Sequence, residues 1–289
     1  MKAARSPDEL APARRAVAIG TFDGVHLGHR RVLESARGAE GLTPTVVTFD
    51  PHPRTAMGNR VELLTTLERR LELLEAAGMA EALVVEFDLE LARLAPEEFA
   101  ERYLRAIGAE VVVAGSGFGF GHRRAGDLAL LARLGFDVRP VPLLDGVSSS
   151  AIRALLKAGE PERAARMLGR PPEVEGTVVA GDERGGTLGF PTANLRLDAD
   201  LLVPRYGIYA GEALGHRAAL SIGVNPHYGG EEQRVEAFLL EFAGDLYGER
   251  LVVELWDYLR DERAFESEHE LVDQIARDVE AARAAKRPL

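Results

Sequence analysis

Short apolar runs alternate with helical periodicity through the first half of the chain. AVAIG (16–20) precedes a helical pattern from about Gly28, PTVVTFD (44–50) precedes ERRLELLEAAG (68–78), and EALVVEF (81–87) precedes PEEFAERYLRAIG (96–108). EVVVAG (110–115) is followed by DLALLARLG (127–135) and then by DVRPVPLL (137–144). Runs of that length, separated by amphipathic helices, predict a parallel sheet covered by helices. The segment 148–170 reads as two short helices, with serine at the first N-cap and Gly159 near its end. After Pro171-Pro172 the pattern changes to VEGTVVAGD, GIYAGEA, HRAALSIGV, VEAFLLEF and ERLVVELWDYL with glycine-rich turns, which predicts a small antiparallel β-barrel. A final helix begins at Ser267, forms a capping box with Glu270 and runs to about Arg283. The expected architecture is an α/β domain over 1–168 and a β-barrel domain with a terminal helix over 169–289.

Composition narrows the function. The chain has 289 residues, with 35 Lys and Arg against 46 Asp and Glu, a formal charge of −11. That balance argues against a nucleic-acid or anionic-membrane binder, which needs dense basic patches. Small anionic substrates remain open where local sites are basic. The absence of cysteine excludes disulfides, thiolate metal sites and a cysteine nucleophile. The opening MKAARSPDELAPARR has no apolar core and no run approaches a membrane span, so a cytoplasmic protein is expected. No obligate protein partner is evident.

Candidate chemistry gathers at the ends of the predicted strands. GTFDGVHLGHRRVL (20–33) follows the first strand, where an open parallel sheet binds its ligands. A helix starting near Gly28 offers free amides and a positive dipole end to phosphate, glycines let backbone approach closely, and His26 and His29 add donors. A metal reading of the two histidines finds no third ligand at a suggestive spacing. TFDPHPR (48–54), GSGFGFGHRRAGD (115–127) and VSSSAIR (147–153) also stand at or just past strand ends. In the second half, GDERGGTLGFPTAN (181–194) is a glycine-rich flap followed by a rigid turn, and Glu236 opens the strand VEAFLLEF. Thr192 and Asn194 carry hard oxygen donors suited to Mg²⁺.

In that order, these motifs resemble the bacterial bifunctional riboflavin kinase/FMN adenylyltransferases, also called FAD synthetases. SIGVNP (221–226), YGIYAGEA (206–213) and LRDERAF (259–265) extend the resemblance, which spans roughly 15–285. It implies a Rossmann-like nucleotidyltransferase domain that joins FMN to AMP from ATP, and a barrel domain that phosphorylates riboflavin to FMN. It implies that His26, His29 and Arg153 act in adenylyl transfer. Gly20, Gly24, Gly28, Ser148 and Ser149 would serve the phosphates, with Ser150 standing for the family's threonine. Phe49, Asp50, Pro51 and Phe118 would lie beside the flavin, with His52 close by. In the kinase, Gly181, Gly185 and Gly186 would wrap ATP, Thr192 and Asn194 would hold Mg²⁺, and Glu236 would be the general base. The implied ligands are riboflavin, FMN and ATP. Gly117, Gly119, Gly186 and His227 depart from the usual pattern, so adenylyl transfer is expected to be the weaker activity. The alternatives are a riboflavin kinase whose first domain only binds flavin or nucleotide, and an aminoacyl-tRNA synthetase, which the acidic charge and missing lysine-rich loop disfavour.

Overall fold

A computed structural model describes residues 1–181, 190–224 and 233–289. The chain forms two compact units, Met1–Ser149 and Ser150–Leu289. The first unit contains six parallel strands: β1 (Lys2–Ala4), β2 (Arg15–Ile19), β3 (Thr43–Asp50), β4 (Glu81–Glu86), β5 (Ala109–Gly115) and β6 (Asp137–Val141), in the order β1-β4-β3-β2-β5-β6. Five match the apolar runs. The edge strand β1 comes from a segment whose three residues carry no readable alternation.

Helices α1 (Leu27–Arg37), α2 (Pro53–Ala56), α3 (Leu67–Ala76), α4 (Pro96–Phe99) and α5 (Leu128–Arg133) connect these strands, and α4 continues as a π-helical turn over Ala100–Arg105. Alternation sends Val17, Ile19, Val47, Leu83 and Val112 to one face of the sheet. It sends Ala16, Ala18, Val46, Ala82 and Val113 to the other. Both faces are covered, as a parallel sheet requires.

The second unit carries most of α6 (Ser149–Ala158), then α7 (Pro161–Leu168) and six antiparallel strands: β7 (Glu173–Val179), β8 (Ala193–Arg196), β9 (Gly207–Ala213), β10 (His216–Val224), β11 (Gln233–Leu239) and β12 (Arg250–Arg260). They close into a barrel in the order β10-β11-β8-β7-β12-β9. Val174, Leu195, Leu220, Ile222, Val235, Ala237 and Val253 point into its core. The last helix, α8 (Glu268–Ala284), is capped as expected, with Ser267 Oγ accepting from the Glu270 amide at 3.2 Å. Its Asp278 carboxylate takes a forked pair of bonds from Arg260 of β12, at 2.9 and 2.6 Å, which ties the helix to the barrel.

Candidate functional site

Each unit positions its own group of functional side chains. In the first, β2 feeds β3 on one side while its other neighbour, β5, feeds β6 in the opposite direction. The carboxyl ends of β2 and β5 therefore flank the switch point, the crevice where open α/β sheets bind ligands. The loop leaving β2 is wound tightly. Phe22 and Val25 are both buried and adopt left-handed φ values of 52° and 40°. Such conformations cost on the order of 1–3 kcal/mol each and persist only where the surroundings enforce them.

Asp23 supplies that enforcement. Its buried carboxylate accepts from the Leu64 amide at 2.9 Å and the Thr65 amide at 3.2 Å. The Gly24 amide donates to Thr65 Oγ1 at 3.3 Å. The Thr21 carbonyl accepts from Thr48 Oγ1 at 3.1 Å and from the buried Arg70 guanidinium at 2.9 Å. Ser149 Oγ donates to the Asp23 carbonyl at 2.9 Å, so this serine braces the loop at the start of α6. Ser148 immediately precedes that helix, and Arg153 lies one turn further along it.

The braced loop delivers His26 to the N-terminus of α1. His26 Nδ1 accepts from the His29 amide at 3.2 Å and caps the helix, and the two imidazoles stack 3.6 Å apart with 13° between their planes. The preceding amides, of Leu27 and Gly28, have no intrahelical acceptor and face the positive end of the dipole. A Cβ at Gly28 would approach His26 Cε1 to 3.1 Å, so glycine is what lets the ring fold back. His29 also packs edge-on against Phe22, and its Nδ1 is a buried polar atom lacking a hydrogen-bond partner. Burial, reinforced by His26 and Arg70, holds the His29 imidazole well below its ordinary pKa of 6.5 and keeps it neutral at pH 7. Three groups expected at the phosphates are engaged elsewhere: the Gly20 amide bonds to the Val47 carbonyl, the Gly24 amide to Thr65 and the Ser149 hydroxyl to the Asp23 carbonyl. Those glycines shape the loop.

At the end of β3, Phe49 is 7% exposed and belongs to the core, packed edge-on against Phe87. Asp50 is more open, 3.3 Å from Arg5 and 4.0 Å from Arg70, and its bond to Pro51 is cis. Phe118, beyond β5, stacks on Phe120. Asp23, Thr65 and Arg70 were not singled out by the sequence. A signal existed for Arg70, since it sits with Leu73 and Leu74 on the buried stripe of α3, where an arginine needs a reason.

In the second unit, four strands bring distant residues together on the outer face of the barrel. Asn194 of β8 pairs with Val179 of β7 on one side and with Glu236 of β11 on the other, and Glu236 pairs in turn with Ser221 of β10. Cross-strand partners share a face, so the carboxamide and the carboxylate are neighbours. A Cβ at Gly181 would fall inside the Asn194 amide group. Arg234 Nε lies 3.7 Å from Glu236 Oε1, and Phe190 packs edge-on against Phe238 one pleat away. Thr192 stands just before β8. Gly185, Gly186 and His227 lie outside the described residues.

Among the described residues no three His, Cys, Asp or Glu side chains cluster as a metal cage. The oxygen donors around Asn194 suit a hard cation that takes its other ligands from phosphate and water, as Mg²⁺ usually does.

The profile of the FAD synthetase family matches residues 8–150, and that of the riboflavin kinase family matches 168–286. A Listeria monocytogenes protein described as bifunctional riboflavin kinase/FMN adenylyltransferase is 36% identical, covering 96% of this chain and 94% of its own. The Bacillus subtilis protein of the same description is 34% identical, covering 93% and 92%. A solved structure from Streptococcus pneumoniae, described as a macrolide-efflux protein, superposes with a TM-score of 0.85 at 32% identity over 98% of both chains. In this chain no helix among the described residues is long and apolar enough to cross a membrane.

Proposed function

The chain belongs to the bifunctional riboflavin kinase/FMN adenylyltransferase family, and from that premise we propose how its own residues divide the two reactions. Adenylyl transfer falls to the first unit and phosphorylation of riboflavin to the barrel. Riboflavin, FMN and ATP are the substrates.

In adenylyl transfer a phosphate oxygen of FMN attacks the α-phosphorus of ATP and pyrophosphate leaves. No covalent enzyme intermediate is needed, so the protein contributes position and charge complementarity. The Leu27 and Gly28 amides and the stacked histidines meet the phosphates at the start of α1. A neutral His29 donates a hydrogen bond there without needing a proton from solution. Asp23, Thr65, Arg70 and Ser149 keep the loop in its strained form, and the family pattern gives Arg153, on α6, the charge of the departing pyrophosphate. Asp50, Pro51 and Phe118 border the flavin, and Phe49 supports them from the core. The extended family pattern supports these assignments; the single observation that carries them is the His26–His29 stack at a helix N-terminus on the switch point.

In the kinase, Glu236 accepts the proton of the ribityl 5′-hydroxyl while that oxygen attacks the γ-phosphorus and ADP departs. Arg234 Nε lies 3.7 Å from that carboxylate. Asn194 and Thr192 would hold Mg²⁺, which neutralises phosphate charge, and Gly181 keeps room for the Asn194 amide. Incubation of the full chain with riboflavin, ATP and Mg²⁺, followed by separation of the flavins, tests both halves. FMN and then FAD are expected. FMN accumulating without FAD would instead support a first unit that only binds ligand.

A further inference from the structure

Beyond β5 the chain builds a feature that neither reaction has yet used. Ala18 pairs with Val113, so Gly20 and Gly115, two residues further along each strand, leave the sheet level with one another at the switch point. The loop after Gly115 is closed by Phe120 and Gly126, whose backbones exchange hydrogen bonds of 3.0 and 2.9 Å. Its tip is anchored by the His122 amide, which donates to the Leu94 carbonyl at 2.8 Å.

At that tip Arg123 and Arg124 both take left-handed φ values, 52° and 59°. Two consecutive residues with side chains avoid that conformation unless something enforces it. Its result is to turn Arg124 back over the glycines. Arg124 Nη2 donates to the Gly117 carbonyl at 3.0 Å, and a Cβ at Gly119 would lie 3.2 Å from both Arg124 Cβ and Nε. Beside Gly117 a Cβ would meet nothing within 4 Å. An exposed guanidinium thus lies on bare backbone beside open space at the exit of β5. Its planar fork of five donors matches phosphate oxygens in pairs.

We propose that Arg124 is a phosphate-binding residue of adenylyl transfer, held over the β5 exit by the strained tip and admitted by Gly117 and Gly119. The proposal rests on the assignment of that reaction to the first unit. The phosphate belongs either to ATP or to FMN, and separate KM values distinguish the two.

The test uses the full chain carrying Arg124→Gln. The glutamine amide can still donate to the Gly117 carbonyl, so the loop keeps its tie while the charge is removed. The expected result is a fall of about ten- to a hundredfold in kcat/KM for FMN to FAD, with riboflavin to FMN unchanged. A rise in KM for ATP assigns the nucleotide phosphates, and a rise in KM for FMN assigns the flavin phosphate. Adding Gly119→Arg to Arg124→Gln returns a cation from the adjacent position and should recover most of the loss. FAD formation by Arg124→Gln within twofold of the parent overturns the proposal. Loss in the single variant without recovery in the double assigns Arg124 to loop structure and overturns it too. A parent chain that makes FMN but no FAD overturns the function assigned to the first unit, which is a separate failure.

Discussion

Gly28→Ala separates the chemistry of the first site from its stability. The new methyl carbon would stand 3.1 Å from His26 Cε1 and 3.2 Å from Nδ1. Normal carbon contacts are about 3.5–4.0 Å, so the imidazole must retreat by roughly half an ångström. The ring is already committed on two sides, as the helix cap at 3.2 Å and as half of a stack at 3.6 Å. Losing the cap costs about 0.5–2 kcal/mol. Replacing glycine by alanine inside a helix gains about 0.5–1 kcal/mol. The two nearly cancel, and the melting midpoint should move by less than about 5 °C.

Transfer depends on geometry rather than on that balance. A misplacement of about 1 Å in a positioning group costs about a hundredfold in rate, so half that displacement predicts a fall of about tenfold in FMN to FAD turnover. Riboflavin to FMN, carried by the other unit, should be unchanged. The assay follows both products in one time course beside a thermal melt. FAD turnover within twofold of the parent would refute the role given to the His26–His29 arrangement. A parallel loss of both activities would mean that the protein has unfolded instead.

Glu236→Gln removes the acceptor for the ribityl proton, so FMN formation should fall by about 10²–10⁴ while FAD formation from supplied FMN persists. A fall of less than about fivefold, with ATP binding intact, would remove Glu236 from the role of base. His29 is held neutral by burial, below the 6.5 of a free imidazole, so below pH 6.5 the unfolded chain takes up a proton that the folded chain refuses. Stability should therefore decline with falling pH more steeply in the parent than in His29→Gln, by up to about 1.4 kcal/mol per pH unit. Urea midpoints at pH 7.5, 6.0 and 5.0 check this, and parallel trends in the two proteins would contradict it.

The sheet and the barrel were legible because their periodicities are strong, and the chain order of the motifs identified the family. What escaped the sequence was register. Nothing in GFPTAN or VEAFLLEF announces that Asn194 and Glu236 stand directly opposite, because cross-strand pairing in a closed barrel depends on how all six strands are staggered. The proline punctuation at 171–172 lies close to the start of the riboflavin kinase match at 168, while the compact units divide at Ser149/Ser150, because α7 packs on β12, a strand formed far downstream. The hook between Asp23 and the 64–65 segment is invisible in the same way, since it joins residues that share no motif.

The glycines show where a local reading of chemistry reaches its limit. A glycine-rich stretch suggests amides free to cradle phosphate, yet the Gly20 and Gly24 amides are engaged within the fold. Several of the others supply room for a neighbour: Gly28 for the His26 ring, Gly119 for the Arg124 side chain and Gly181 for the Asn194 amide. In each case the glycine lies next to a polar side chain that would otherwise be displaced. A side chain at such a position therefore acts on the neighbouring group before it acts on the ligand. Gly28→Ala and Gly119→Arg act through the His26 ring and the Arg124 position, and each is read by FAD formation.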